Sequence, residues 1–417
     1  MTKQGSEELV VLRGDGAGNF TIAQTLKTGV RPVAGGAGLI DEDDYPDVVV
    51  VEGGAGGVSV FLGRGDGTLG DGSATATGPD PTSLALADLD RDGELDLAVA
   101  NSAAFGGTAS IAILAGRGDG SFAPPVLLES GASPSAIVAA DLDRDGDTDL
   151  AAANELGNDI TVFINDPTGT FARKNTYAVE AGPRGIAAAD LDGDGFPELA
   201  VLNSTAGTYS VLRNRKDGTF ENAVSSPGAG AGSSILPVDV DRDGDLDLTT
   251  GSLTISINRG DGTFRGPSNF PLLGNALSTF AGDLDGDGAL DLVTATGAVL
   301  SIRFNLTEES ASRDLDGNSV PDDCQGLPAF RRGEVNGDGR MNILDAIVVI
   351  LKLFAGGPDL PCQDAADAND DGRLSVDDPI AILTRLFRGG EPLPSPGDAR
   401  CGIDTTDDSL ETCEARC

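Results

Sequence analysis

The chain contains no histidine and no tryptophan, and aromatic residues make up only 4% of its 417 residues. Without histidine, the commonest protein zinc ligand and the usual general base near neutral pH are both missing. Cysteine is absent from the first 323 residues; the five present are Cys324, Cys362, Cys401, Cys413 and Cys417. None of them has CxxC spacing, which argues against zinc and for disulfides of an exported protein, with one thiol left over. Cys362 with Cys401 and Cys413 with Cys417 are candidate pairs that spacing alone leaves open. Basic residues are scarce, 28 Lys and Arg against 67 Asp and Glu, for a net charge of −39. That balance excludes binding to nucleic acid or to anionic membranes, both of which need cations to meet phosphate. No apolar run reaches the roughly 18 residues of a membrane span, so no membrane insertion is expected. The opening MTKQGSEELVV lacks the basic, apolar, small-residue progression of a leader. It reads as the interior of a repeat, which predicts an N-terminally incomplete chain of an extracellular or cell-surface protein, bacterial in type.

What is abundant is glycine, 59 residues, and aspartate in a repeated arrangement. Five strings align without gaps: ADLDRDGELDLAV, ADLDRDGDTDLAA, ADLDGDGFPELAV, VDVDRDGDLDLTT and GDLDGDGALDLVT. They recur about every 50 residues, a period typical of propeller blades. A degenerate sixth copy, LIDEDDYPDVVV, precedes them with Leu39 in place of the first Asp. A second mark precedes the first of these strings and stands between each string and the next, reading LRGDGAGNF, LGRGDGTLG, AGRGDGSF, NDPTGTF, NRKDGTF and NRGDGTF. Short apolar stretches separate the marks. The predicted unit is strand, acidic loop, strand, strand, DGTF-type turn and outer strand, four short strands to a blade.

The acidic loops have the spacing of a cation cage. In the first full copy Asp88, Asp90 and Asp92 occupy positions 1, 3 and 5, Gly93 allows the sharp turn, Glu94 offers its main-chain carbonyl at position 7, and Asp96 closes at position 9. Alternate residues turn inward, giving the all-oxygen, six- to eight-ligand set that Ca²⁺ accepts. The same positions fall on Asp141, Asp143, Asp145, Asp147 and Asp149 in the second copy, and on Asp190, Asp192, Asp194, Phe196 and Glu198 in the third. The fourth copy has Asp239, Asp241, Asp243, Asp245 and Asp247, and the fifth has Asp283, Asp285, Asp287, Ala289 and Asp291. The degenerate copy keeps Asp41, Asp43 and Asp47 but has Asp44 at the glycine position. Five to six calcium ions are expected here. A site repeated in every unit suits a structural ion better than a catalytic one. Four RGD triplets lie in the second mark; the equivalent RKDGTF and DPTGTF keep the turn without the triplet, so these Arg residues read as turn filler.

Together the two marks resemble the FG-GAP/VCBS repeat family, which includes the propellers of integrin α-subunits. The resemblance covers about residues 7–306 and implies, over a domain 1–306, a mainly β, calcium-binding propeller of about six to seven four-stranded blades. Residues 7–26 predict only the last two strands of a leading blade. The sequence leaves open whether that blade is truncated or shared between the two chain ends.

The remainder reads as three segments. In 307–329, SRDLDGNSVPDDC places Asp314, Asp316, Asn318 and Asp322 at positions 1, 3, 5 and 9, and resembles a thrombospondin type 3 calcium repeat within an acidic linker. Residues 330–392 hold two longer loops with EF-hand spacing. One has Glu334, Asn336, Asp338, Arg340, Asn342 and Asp345; the other has Asp367, Asn369, Asp371, Arg373, Ser375 and Asp378. Each runs into an amphipathic stretch, a predicted helix. Duplicated loop–helix units ending in Asp resemble dockerin type I modules; an ordinary EF-hand pair is the other reading. The dockerin resemblance implies a small α-helical domain with two calcium ions and a cohesin-like scaffold as partner. A cysteine-rich tail, 393–417, closes the chain.

Three functions follow as expectations. The first is a non-catalytic adhesion or assembly protein whose propeller binds a polysaccharide or protein ligand. The second is a component of a polysaccharide-degrading hydrolase or lyase complex. The third is a spacer in a surface layer. Acids absorbed by repeats argue against an enzyme, and a carbohydrate platform would want more than Tyr45, Tyr177 and Tyr209.

Overall fold

The computed structural model describes residues 2–303 apart from 4–6, 17–18, 55, 105, 229–231, 252, 270–275, 285–289 and 297–299. The expectations for the acidic linker, the dockerin-like module and the cysteine-rich tail fall on residues outside these.

The described chain is all strand and turn, in seven antiparallel sheets. A leading three-stranded sheet holds β1 (Thr2–Lys3), β2 (Glu8–Gly14) and β3 (Phe20–Lys27). Four-stranded sheets follow in chain order. The first has β4 (Pro32–Gly38), β5 (Asp47–Glu52), β6 (Gly57–Phe61) and β7 (Ser73–Ala76). The next has β8 (Pro81–Ala87), β9 (Asp96–Asn101), β10 (Ser110–Leu114) and β11 (Val126–Glu129). Then come β12 (Pro134–Ala140), β13 (Asp149–Asn154), β14 (Asp159–Ile164) and β15 (Arg173–Ala178). The fifth sheet is β16 (Pro183–Ala189), β17 (Glu198–Asn203), β18 (Thr208–Leu212) and β19 (Val224–Pro227). The sixth is β20 (Ile235–Val238), β21 (Asp247–Thr250), β22 (Thr254–Ser256) and β23 (Ser268–Asn269). The last is three-stranded, with β24 (Ala276–Gly282), β25 (Asp291–Thr296) and β26 (Leu300–Arg303).

Each sheet is a meander paired in sequence order, as the repeat unit predicts. The first strands of successive sheets, β4, β8, β12, β16, β20 and β24, pack one against the next. That is the arrangement of a β-propeller, with six blades carrying an acidic loop and the β1–β3 sheet ahead of them. Residues 7–26 fall on two strands, β2 and β3, and the leading sheet gains a third from outside that range, where Thr2 and Lys3 pair with Leu9 and Glu8. Among the described residues the first and last sheets are separate.

The apolar runs explain the stacking. In β5, Val49 and Val51 pack with the β8–β11 sheet, while Val50 faces back to Leu9. In β9, Leu97 and Val99 face the preceding sheet, and Ala98 and Ala100 the following one. In β17, Leu199 and Val201 face one neighbour and Ala200 and Leu202 the other. Successive side chains point to opposite faces, and both faces are covered, so these strands read as continuous apolar runs. A separate apolar cluster thus sits between each consecutive pair of sheets. Each fully buried Val or Leu contributes about 1.5–3 kcal/mol relative to exposure.

Four of the six first strands share an entry. Pro32, Pro81, Pro134 and Pro183 each open one, with a register shift before the next pair. The preceding residues Arg31, Asp80, Ser133 and Gly182 all have positive φ. Proline has no N–H to give to the ladder, which suits a strand's first position.

Candidate metal-binding loops

Every acidic loop joins the first strand of its sheet to the second, at the same end of each sheet. The loops at Asp88, Asp141, Asp190 and Asp239 share one backbone form. Position 4 has positive φ, at Arg91, Arg144, Gly193 and Arg242, and so does position 6, at Gly93, Gly146, Gly195 and Gly244. The position-6 amide then donates to the position-1 carboxylate: Gly93 to Asp88 (3.1 Å), Gly146 to Asp141 (3.0 Å), Gly195 to Asp190 (2.8 Å) and Gly244 to Asp239 (3.1 Å). The position-5 carboxylate accepts the position-7 amide, as in Asp92 with Glu94 (2.9 Å), Asp145 with Asp147 (2.9 Å), Asp194 with Phe196 (2.9 Å) and Asp243 with Asp245 (3.0 Å).

These turns draw the acids together. Carboxylate oxygens of Asp88, Asp90 and Asp96 lie within 4.8 Å of one another, as do those of Asp141, Asp143 and Asp149, and of Asp239, Asp241 and Asp247. In the third copy the trio is Asp190, Asp192 and Asp194, and in the degenerate copy it is Asp41, Asp43 and Asp47. The predicted acids therefore converge in triplets. The position-5 Asp92, Asp145 and Asp243 and the position-9 Glu198 stand outside the triplets of their own loops. Of the last loop, Asp283 and Asp291 are described, whereas Asp285, Asp287 and Ala289 lie outside the described residues.

The donor set fits a hard cation, which takes oxygen ligands. Asp88, Asp141 and Asp190 each leave Oδ1 buried without a hydrogen-bond partner, while Oδ2 is held by the glycine amide. An unpaired buried carboxylate oxygen is costly, and a cation at that point would remove the cost. Some acids have protein cations beside them: Arg173 lies 2.7 Å from Asp143 and Lys216 2.9 Å from Asp194. The degenerate loop is different. It lacks the first carboxylate, Asp44 does not take a positive φ, and Glu42 N donates to Gly118 O of the next sheet (3.1 Å).

Position 9 has a second role that spacing does not reveal. Asp47, Asp96, Asp149, Glu198, Asp247 and Asp291 are all at most 1% exposed. One carboxylate oxygen of each accepts the position-2 amide: Ile40 (2.7 Å), Leu89 (2.8 Å), Leu142 (2.8 Å), Leu191 (2.9 Å), Val240 (3.0 Å) and Leu284 (2.9 Å). In the first five the other oxygen accepts an amide at the end of the third strand, from Gly63, Gly116, Asn165, Asn214 or Asn258. The carboxylate thus ties the acidic loop to the start of the DGTF-type turn. Burial pushes Asp149 up to about 7 and Asp247 to about 6, with further upward pressure from the neighbouring loop aspartates. Asp96 and Glu198 are raised for the same first reason.

The three asparagines were missed by the motif reading. Asn165, Asn214 and Asn258 are 5%, 8% and 1% exposed. Each directs Nδ2 across to the preceding sheet's acidic loop, at the carbonyl of Leu89 (2.7 Å), Leu142 (2.8 Å) or Leu191 (2.8 Å). The signal was present as the first letter of NDPTGTF, NRKDGTF and NRGDGTF. The position-4 arginines were also missed. Arg91 Nε lies 2.6 Å from Asp147 of the next loop, and the Arg144 guanidinium is 5.1 Å from the ring centroid of Phe196.

The FG-GAP-like repeat profile matches residues 40–99, 100–152, 143–201, 190–250 and 248–294, more than half of the chain. No curated protein matches the sequence. Among solved structures, a functionally unknown protein from Desulfotomaculum acetoxidans aligns with TM-score 0.54 at 12% identity, covering 74% of this chain and 92% of its own. The periplasmic gluconolactonase of Pseudomonas aeruginosa aligns with TM-score 0.51 at 17% identity, over 73% of this chain and 97% of its own. A protein from Lactobacillus plantarum aligns with TM-score 0.51 at 14% identity, over 68% and 83% respectively. Such likenesses concern the fold. The repeat match, together with the blade-by-blade recurrence of the acidic loops, shows that the chain belongs to the FG-GAP-like repeat family.

Proposed function

We propose that this is a calcium-loaded, non-catalytic binding and assembly protein of the extracellular space or cell surface. In this reading its propeller is the ligand platform, and residues 330–392 are a dockerin-like attachment to a cohesin-type scaffold. The observation that carries the calcium reading is the buried, unpartnered Oδ1 at the same position of three successive loops, Asp88, Asp141 and Asp190. Calcium suits this set better than magnesium because it accepts six to eight oxygens in irregular geometry, whereas magnesium demands a small octahedron. The non-catalytic reading rests on repetition: an acid cluster recurs from sheet to sheet, which suits a structural ion better than a catalytic one. The Pseudomonas aeruginosa neighbour is a gluconolactonase. At its degree of likeness the reaction is a rival to be tested on this chain, not an inheritance.

The test uses the full chain, immobilised and probed with polysaccharides, cohesin modules and extracellular proteins, in calcium and in chelator. Lactone and polysaccharide turnover are measured on the same material. Calcium-dependent capture without turnover supports the proposal. Turnover abolished by one acid substitution would replace it with an enzyme. Asp338→Ala with Asp371→Ala in the full chain should end cohesin capture while the propeller's own melting transition stays in place.

A further inference from the structure

Four of the acidic loops are joined in one continuous hydrogen-bonded chain. Asp96 accepts from Leu89 N (2.8 Å), and Leu89 O accepts from Asn165 Nδ2 (2.7 Å). Asn165 N in turn donates to Asp149 (2.8 Å). Asp149 accepts from Leu142 N (2.8 Å), and Leu142 O accepts from Asn214 Nδ2 (2.8 Å), whose own amide donates to Glu198 (3.3 Å). Glu198 accepts from Leu191 N (2.9 Å), Leu191 O accepts from Asn258 Nδ2 (2.8 Å), and Asn258 N donates to Asp247 (2.8 Å). Each asparagine also donates to the position-8 carbonyl of its own sheet's loop, at Thr148 (3.0 Å), Pro197 (2.9 Å) or Leu246 (3.0 Å). Among the described residues the asparagine series stops at Gly116, which stands where Asn165, Asn214 and Asn258 stand and has no side chain to send to the loop at Asp41; that loop meets the next sheet through a backbone bond instead, Glu42 N to Gly118 O (3.1 Å).

We propose that the loops at Asp88, Asp141, Asp190 and Asp239 fill with calcium as one coupled unit, with Asn165, Asn214 and Asn258 as the coupling residues, while the loop at Asp41 responds independently. The proposal rests on the calcium reading above. An ion that draws in Asp149 fixes the carboxylate to which the Asn165 amide is bonded. Asn165 then holds its Nδ2 on Leu89 O, and the loop at Asp88 needs less ordering when its own ion arrives. Ordering already done by one ligand lowers the entropic cost for the next, which is positive cooperativity. A chain of hydrogen bonds that polarise one another adds to this. The contacts of Arg91 with Asp147 and of Arg144 with Phe196 run between the same neighbouring loops.

The experiment is hydrogen–deuterium exchange with peptide resolution on the full chain across a calcium titration, which reads each loop separately. Wild type should protect the loops at 88–96, 141–149, 190–198 and 239–247 steeply over one shared calcium range. Asn165→Gly copies the residue already tolerated at position 116. It should move the midpoint of 88–96 to roughly fivefold higher calcium or more, leaving 190–198 and 239–247 together. Asp141→Asn should raise the midpoints of both 88–96 and 190–198 and leave 39–47 unchanged. A merely structural asparagine would lower protection everywhere at saturating calcium without splitting the midpoints. Shallow, independent transitions in wild type, or unchanged midpoints in both variants, would overturn the coupling while leaving calcium binding standing. Loops indifferent to calcium throughout would overturn the calcium reading and the coupling with it.

Discussion

Asn165 reaches out of its own sheet to bond the carbonyl of Leu89, 2.7 Å away and 76 residues earlier in the chain. The contact places the turn of one blade on the acidic loop of the blade before it. Gly169, a few residues on, makes the approach possible: its φ is +73°, and a Cβ there would come within 3.0 Å of the Asp90 Cβ. Gly169→Ala is therefore expected to cost about 1–2 kcal/mol in backbone strain alone, and to weaken calcium binding through Asp90. Urea unfolding in calcium and in chelator checks this, the loss being larger in calcium.

Position 1 and position 9 of the loops should separate by their response to metal. Asp149→Ala strands two buried amides, Leu142 N and Asn165 N, an expected loss of about 2–4 kcal/mol that persists in chelator and grows in calcium, because Asp149 also belongs to the converging triplet. Asp88→Asn keeps an oxygen for Gly93 and removes charge from the cluster. Its loss should be seen in calcium and nearly vanish in chelator. Denaturant unfolding of both variants under both conditions reads the difference.

The pH response of the metal-free protein should be inverted. Asp149 has an ordinary value of 3.8 and is pushed up to about 7 in the fold; Asp247 is pushed to about 6. Between those limits the folded state holds protons that the unfolded state has released. Stability without metal then falls as pH rises from about 4 to 7. Calcium needs the charged form, so the loaded protein should instead lose stability as pH falls through the same window. Melting temperatures at pH 5, 6 and 7, with calcium and with chelator, should move in opposite directions.

The RGD-type turns should depend on their aspartates and not on their arginines. Asp66, Asp119 and Asp261 each accept both the amide and the hydroxyl of Thr68, Ser121 or Thr263. Asp217, in a turn with no RGD triplet, does the same with Thr219. These bonds, the hydroxyl's first, hold all four carboxyls below the usual range. Arg64→Ala should leave the melting temperature unchanged, whereas Asp66→Ala and Asp217→Ala should each lower it.

Strand order and loop placement were legible because the acidic string and the DGTF mark recur in register, and each brackets a strand; blade number was legible only to about six or seven. The triplets of converging acids were legible for the same reason, since alternate positions of a tight turn point inward. The links between blades were not. Asn165 and Leu89 are far apart in sequence, and asparagine beside a turn is ordinarily read as a turn former. The leading sheet was underread because β1 is only two residues long and has no periodicity to show. Position 9 looked like one more ligand; its hydrogen bonds to position 2 and to the third strand's end depend on how the meander folds back.

The central claim is that metal ions in the acidic loops hold the blades. Thermal unfolding of the full chain, alongside the triple variant Asp88→Asn, Asp141→Asn, Asp190→Asn, tests it most directly. At free calcium about ten times Kd, each occupied site adds about 1.4 kcal/mol, so the propeller transition of the wild type should rise by many degrees over its value in chelator. The triple variant should lose most of that rise. A propeller transition at the same temperature in calcium and in chelator would contradict the account.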